Sequence, residues 1–149
     1  MIPYTHQKVG FTVKIPRDWF IHEEPNTLWR QGGLLGVEPA LVVTERPPGT
    51  LTRFNSNIVV STRELPRSSS SHRAAARFTE LATEILESVL TPKGAEATAS
   101  HPFSSNGVVG ALAVVEYIQE SGGGRIKLSA NVAVLIPPSH QRCFLITAT

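Results

Sequence analysis

The chain has 149 residues and a formal net charge of +2. Its aliphatic, aromatic, methionine and cysteine residues make up 41%, and the 11 glycines raise that to about 48%, inside the globular range of about 45–50%. This composition excludes a disordered chain, a collagen-like chain and a coiled coil, and the length favours one domain spanning 1–149.

In chain order, Phe11-Thr12-Val13-Lys14-Ile15 alternates cleanly and reads as a half-buried strand ended by Pro16. Residues 21–36 mix charge, Pro25, Trp29 and paired glycines, and read as turns around a short element. Ala40–Thr44 reads as a second strand, stopped by Pro47-Pro48-Gly49, and Ile58–Thr62 as a third. A polar connector with four serines (68–71) precedes a helix that begins near His72. Phe78, Leu81, Ala82, Ile85 and Val89 share one face of it, and Glu80, Glu84 and Glu87 occupy the other. Pro92-Lys93-Gly94 ends it.

Val108–Gln119 is apolar on both alternating faces, the pattern of a strand covered on both sides of its sheet. A glycine hairpin then leads to the alternating strand Ile126–Ile136, which must run antiparallel to its predecessor. Cys143–Thr149 reads as a last strand. One helix leaves the second face of the central strand without cover. A truncated C-terminus, residues 21–36 or a second subunit would each supply it.

Chemical motifs are mostly missing. Histidines are scattered and none stands in HExxH, so no metal or cofactor is expected. His22-Glu23-Glu24 is the densest group of ligand types. Gly122-Gly123-Gly124 lies between two strands and fails the context of a phosphate loop, although Arg125 and Lys127 follow it. Cys143 with His140 is the nearest thiol–imidazole pair, and the apolar run after Cys143 argues for burial. No strand carries the exposed aromatics and basic residues of an RNA-binding sheet, so no nucleic acid is expected. No apolar run has the length of about 20 that spans a bilayer. The N-terminus lacks a signal-peptide pattern, which makes the cytoplasm the default compartment, or an exported one if a leader has been removed. Arg63, Arg67, His72, Arg73 and Arg77 form the densest basic cluster. Trp19 and Trp29 form a second candidate contact region.

The run Phe11-Thr12-Val13-Lys14-Ile15-Pro16-Arg17-Asp18-Trp19 resembles the opening of the PsbP-like superfamily, which includes photosystem PsbP proteins, Mog-type Ran-binding proteins and bacterial DcrB-like domains. The continuation is similar, with Asn57-Ile58-Val59-Val60 before one long helix. A meander follows through Val114-Val115-Glu116-Tyr117, Val132-Ala133-Val134-Leu135 and Phe144-Leu145-Ile146-Thr147. The resemblance implies an α+β fold: an antiparallel sheet with helices packed on its faces, an α/β/α sandwich whose C-terminal helix this chain lacks. It also implies a non-catalytic domain that acts through protein partners and supplies no catalytic residues. The expected function is therefore a protein-interaction or assembly-accessory domain. Its contact residues would be Arg63, Arg67, Arg73, Arg77, Trp19 and Trp29, its partner a protein with an acidic surface, and homo-oligomers are open to it. A small-molecule or anion-binding domain, with residues 21–36 as a lid, is the alternative. An enzyme with an unrecognised site around His22, Glu23 and Glu24 is the third reading.

Overall fold

The computed structural model describes residues 1–23, 39–47, 55–65, 74–90, 96–121, 124–139 and 141–149. Nine strands and one helix lie among them. They are β1 (Ile2–His6), β2 (Phe11–Ile15), β3 (Phe20–His22), β4 (Pro39–Thr44), β5 (Asn57–Glu64), α1 (Ala74–Leu90), β6 (Glu96–Ser105), β7 (Val108–Ser121), β8 (Gly124–Ile136) and β9 (Arg142–Ala148). β1 and β2 form a hairpin of their own, and the other seven form one sheet in the order β3-β4-β5-β9-β8-β7-β6. Every pairing in it is antiparallel.

The helix sits where the connectivity demands a crossover. Alternation along the sheet makes β5 and β6 parallel, four strand spacings apart, or about 19 Å at about 4.8 Å each. A helix of 17 residues is about 25 Å long at 1.5 Å per residue and spans that gap. It packs on β6, β7 and β8. Ala82, Ile85, Leu86, Val89 and Leu90 meet Val109, Ala111, Ala113 and Val115 of β7 and Ala130, Val132, Val134 and Ile136 of β8 in the main core. Cys143 and Leu145 of β9 complete it. Glu80, Glu84 and Glu87 face solvent, as the helical spacing predicts.

The opposite face of the sheet has a different cover. The hairpin turns Ile2, Tyr4, Phe11, Val13 and Ile15 onto Leu41, Val43, Ile58, Val60, Phe144 and Ile146, a second core that spans β4, β5 and β9. His6 anchors the hairpin. Its Nδ1 accepts the Val9 N–H at 3.2 Å, so the neutral ring carries its proton on Nε2 and donates to the Ala40 carbonyl at 3.1 Å. The same ring stacks on Phe11 with centroids 5.2 Å apart, and Phe11 meets Phe144 edge-on.

This arrangement corrects the α/β/α sandwich. The fold is dominated by antiparallel strands, and α1 lies on one face. Over β4, β5 and β9 the other face is covered by the β1–β2 hairpin, not by a helix. It also corrects the reading of Val108–Gln119 as covered on both sides. Val109, Ala111, Ala113 and Val115 are buried under α1, but Leu112, Val114 and Ile118 on the other side are exposed. No helix of the described residues is long and apolar enough to cross a membrane.

Candidate interaction surface

Of the contact residues singled out by sequence, the structure describes Arg63, Arg77 and Trp19. Arg63 lies near the end of β5 and Arg77 near the start of α1, both exposed. Arg67, His72, Arg73 and Trp29 lie outside the described residues. Trp19 is half-buried and packs against the second core, and its backbone N–H donates to the Pro16 carbonyl at 3.3 Å. That packing gives Trp19 a structural task in the turn between β2 and β3.

The chemical candidates are arranged for structure as well. Thr44 donates its hydroxyl to the Arg46 carbonyl at 2.8 Å, so its oxygen accepts from His22 Nε2 at 3.2 Å. The lone pair left on that imidazole is at Nδ1. Among the described residues no three His, Cys, Asp or Glu side chains are placed to hold a metal, and Glu24 lies outside them. Cys143 is fully buried, and burial pushes its thiol above the ordinary value of 9.0 despite the opposing pull of the Arg63 guanidinium. A thiol held protonated is a poor nucleophile. His140 lies outside the described residues. A hollow of about 570 Å3 lies beside Thr79, Glu80, Thr83 and Glu84 on the outer side of α1. It is open to solvent, and the Thr83 hydroxyl is already spent on the Thr79 carbonyl at 3.1 Å.

The feature that stands out is the open half of the sheet. Residues paired directly across antiparallel strands share a face. Gly110 pairs with Leu135 and Phe103, and Leu112 with Ala133 and His101. Val114 pairs with Asn131, and Ile118 with Lys127. Leu112 is 37%, Val114 41% and Ile118 63% exposed; Phe103, Ala133 and Leu135 are half-buried beside Leu112, and Ile118 stands apart beyond Glu116. At one end the patch meets charge. Lys127 Nζ lies 2.8 Å from Glu116 Oε2, both well exposed, with Arg125 further along the same face of β8. Phe20 and Ile21 of β3 are exposed too, but successive strand residues point to opposite faces and form no single patch.

Sequence reasoning missed this surface, although a signal was present. The polar set Lys127, Ser129 and Asn131 on β8 pairs with Ile118, Glu116 and Val114 on β7. A core face would not carry that polar row beside it. Gly110 was missed as well. A Cβ there would collide with the Val134 carbonyl oxygen, so β7 and β8 approach each other more closely at this point than a side chain would allow.

No protein-family model matches the chain, and no curated protein matches it. The PsbP-like reading rests on the residues alone.

Proposed function

We propose that this chain is a non-catalytic protein-interaction domain that uses the open half of its sheet, over β6, β7 and β8, as its contact surface. One observation carries the reading: Leu112 and Val114 lie exposed on one face of β7, beside half-buried Phe103, Ala133 and Leu135, with exposed Ile118 further along the same face beyond Glu116. Single exposed apolar residues are ordinary on a protein surface, whereas a contiguous patch with a polar margin marks a contact site. In this reading the PsbP-like resemblance points the same way, whereas exposed Arg63 and Arg77 lie on the helix side of the sheet and form no part of this surface. The chain is not assigned a reaction in this reading, and two of the candidate groups have structural contacts or burial. His22 hydrogen-bonds Thr44, and Cys143 is buried and protonated.

The test compares proteins co-purified with the wild-type chain and with the double variant Leu112→Lys, Val114→Lys, after circular dichroism shows that both are folded. Loss of bound protein from the double variant is the expected result. Equal recovery of every bound protein by the two forms overturns the surface assignment.

A further inference from the structure

We infer that the partner of this surface is a second copy of the chain, packed face to face across β6, β7 and β8. The inference rests on the interaction reading above and adds the identity of the occupant. Size is the first argument. Three strands spaced about 4.8 Å apart form a face about 14 Å wide, and about 12 paired residues at about 3.4 Å each make it about 40 Å long. The projected area is about 560 Å2, and the accessible surface of a pleated face studded with side chains exceeds its projection. That matches the roughly 800 Å2 per partner of a standard stable interface.

Self-complementarity is the second argument. A two-fold contact brings one patch against itself, so a patch of a single charge sign would repel its copy. Here the apolar centre is uncharged, and the charged end carries both signs, Glu116 with Lys127. A strongly acidic or strongly basic partner would find no matching field in this patch. Small residues at the centre, Gly110 and Ala133, leave room for a facing sheet at about 10 Å.

The alternative route to a dimer, edge-to-edge pairing, is weakened on this side of the sheet. β6 is the edge strand, and Pro102 removes a backbone donor from it. The opposite face of β7 is already filled by α1. A copy seated on the open face would cover Leu112 and Val114 and leave Glu116 and Lys127 at the rim of the contact.

The experiment is sedimentation equilibrium of the full chain from micromolar to hundreds of micromolar. The expected result is reversible association to twice the 16.2 kDa chain mass. Val114→Lys buries an unpaired ammonium at the contact and should weaken the dimer by about thirtyfold or more. Glu84→Lys, on the outer side of α1, should leave it unchanged. In a mixed sample of isotope-labelled and unlabelled wild-type chains, intermolecular contacts should start from the Leu112 and Val114 methyl groups, a readout that needs no variant. A wild-type chain that is monomeric throughout the range overturns the inference. So does a dimer that Val114→Lys leaves intact. A monomeric chain whose other bound proteins are lost in the double lysine variant would still support the interaction reading, so the two proposals fail separately.

Discussion

Replacing Ser61 with alanine should stabilise the protein, a sign that few core substitutions show. Ser61 is 1% exposed in β5. Its strand partner Leu145 belongs to the main core, so its side chain is turned toward the helix side of the sheet. The hydroxyl has no hydrogen-bond partner among the described residues. A buried unsatisfied hydroxyl costs about 1–3 kcal/mol. Ser61→Ala removes that group and leaves no cavity larger than one oxygen. Alanine gives up some strand preference, a fraction of the roughly 1 kcal/mol that the whole scale spans. The balance is a gain of about 1 kcal/mol. In urea, with m of about 2 kcal/mol per molar, the midpoint should rise by about 0.5 M at constant m, and Tm should rise by about 2–4 °C for a domain of this size. Tyr4→Phe supplies an internal check, because the Tyr4 hydroxyl is also buried without a partner, in the second core on the opposite face. The two sites share no neighbour in either core, so their effects should add to within about 0.5 kcal/mol. A fall in the midpoint for Ser61→Ala, with m unchanged, would show that the hydroxyl is satisfied in solution and would refute the reasoning.

Three further outcomes follow from the packing. Gly110→Ala should destabilise by about 1–3 kcal/mol, read by urea unfolding, because its Cβ meets the Val134 carbonyl oxygen, and a neutral result would deny the close approach. Leu86→Ala, at a fully buried position under α1, should cost about 2–5 kcal/mol by the same assay. Cys143 should resist a thiol reagent in the native state and react on unfolding. Its thiol is raised above 9.0 in the fold, so the unfolded chain ionises first as pH increases. The native state then holds the extra proton. Stability should therefore be full below about pH 9 and decline above it, and Cys143→Ala should remove that decline.

The legible parts of this fold are those whose periodicity has a single cause. β2, β4, β5 and β8 alternate or run apolar between proline and glycine signals, and α1 repeats its apolar residues at helical spacing. β6 was not legible from its own residues. Glu96–Ser105 is mostly polar, its alternation rests on small Ala97 and Ala99 with Phe103, and Pro102 interrupts it, which suits an edge strand with one neighbour and gives a period search little to find. Its signal was the turn that follows. Asn106 and Gly107 have φ of 50° and 77°, the positive pair that a two-residue hairpin requires, and Asn-Gly before an apolar strand announces a strand on its other side. β3 has three residues, too few for any period. β1 carries Ile2, Tyr4 and His6 on one side, a pattern that means little until β2 is placed beside it. The basic edge and Trp29 were legible only as composition, because a spacing in sequence does not say which loops meet.

The open half of the sheet follows from the widths of the parts. Seven strands at about 4.8 Å span about 34 Å, and a two-stranded hairpin covers about 10 Å of that. The hairpin lies over β4, β5 and β9 through the second core, and β6, β7 and β8 stay outside its reach. What needs a cause is the chemistry left there. Leu112, Val114 and Ile118 contribute little to the monomer, since 37–63% of each surface is already in water. Threonine keeps strand preference and would serve a solvated face equally well. Leu112→Thr with Ile118→Thr should therefore leave the monomer's stability within about 0.5 kcal/mol per site, as for surface positions generally, while lowering association measured by sedimentation. A loss of several kcal/mol in a dilute, monomeric sample would mean that these side chains hold the chain itself together, and the case for a partner on this face would fall with it.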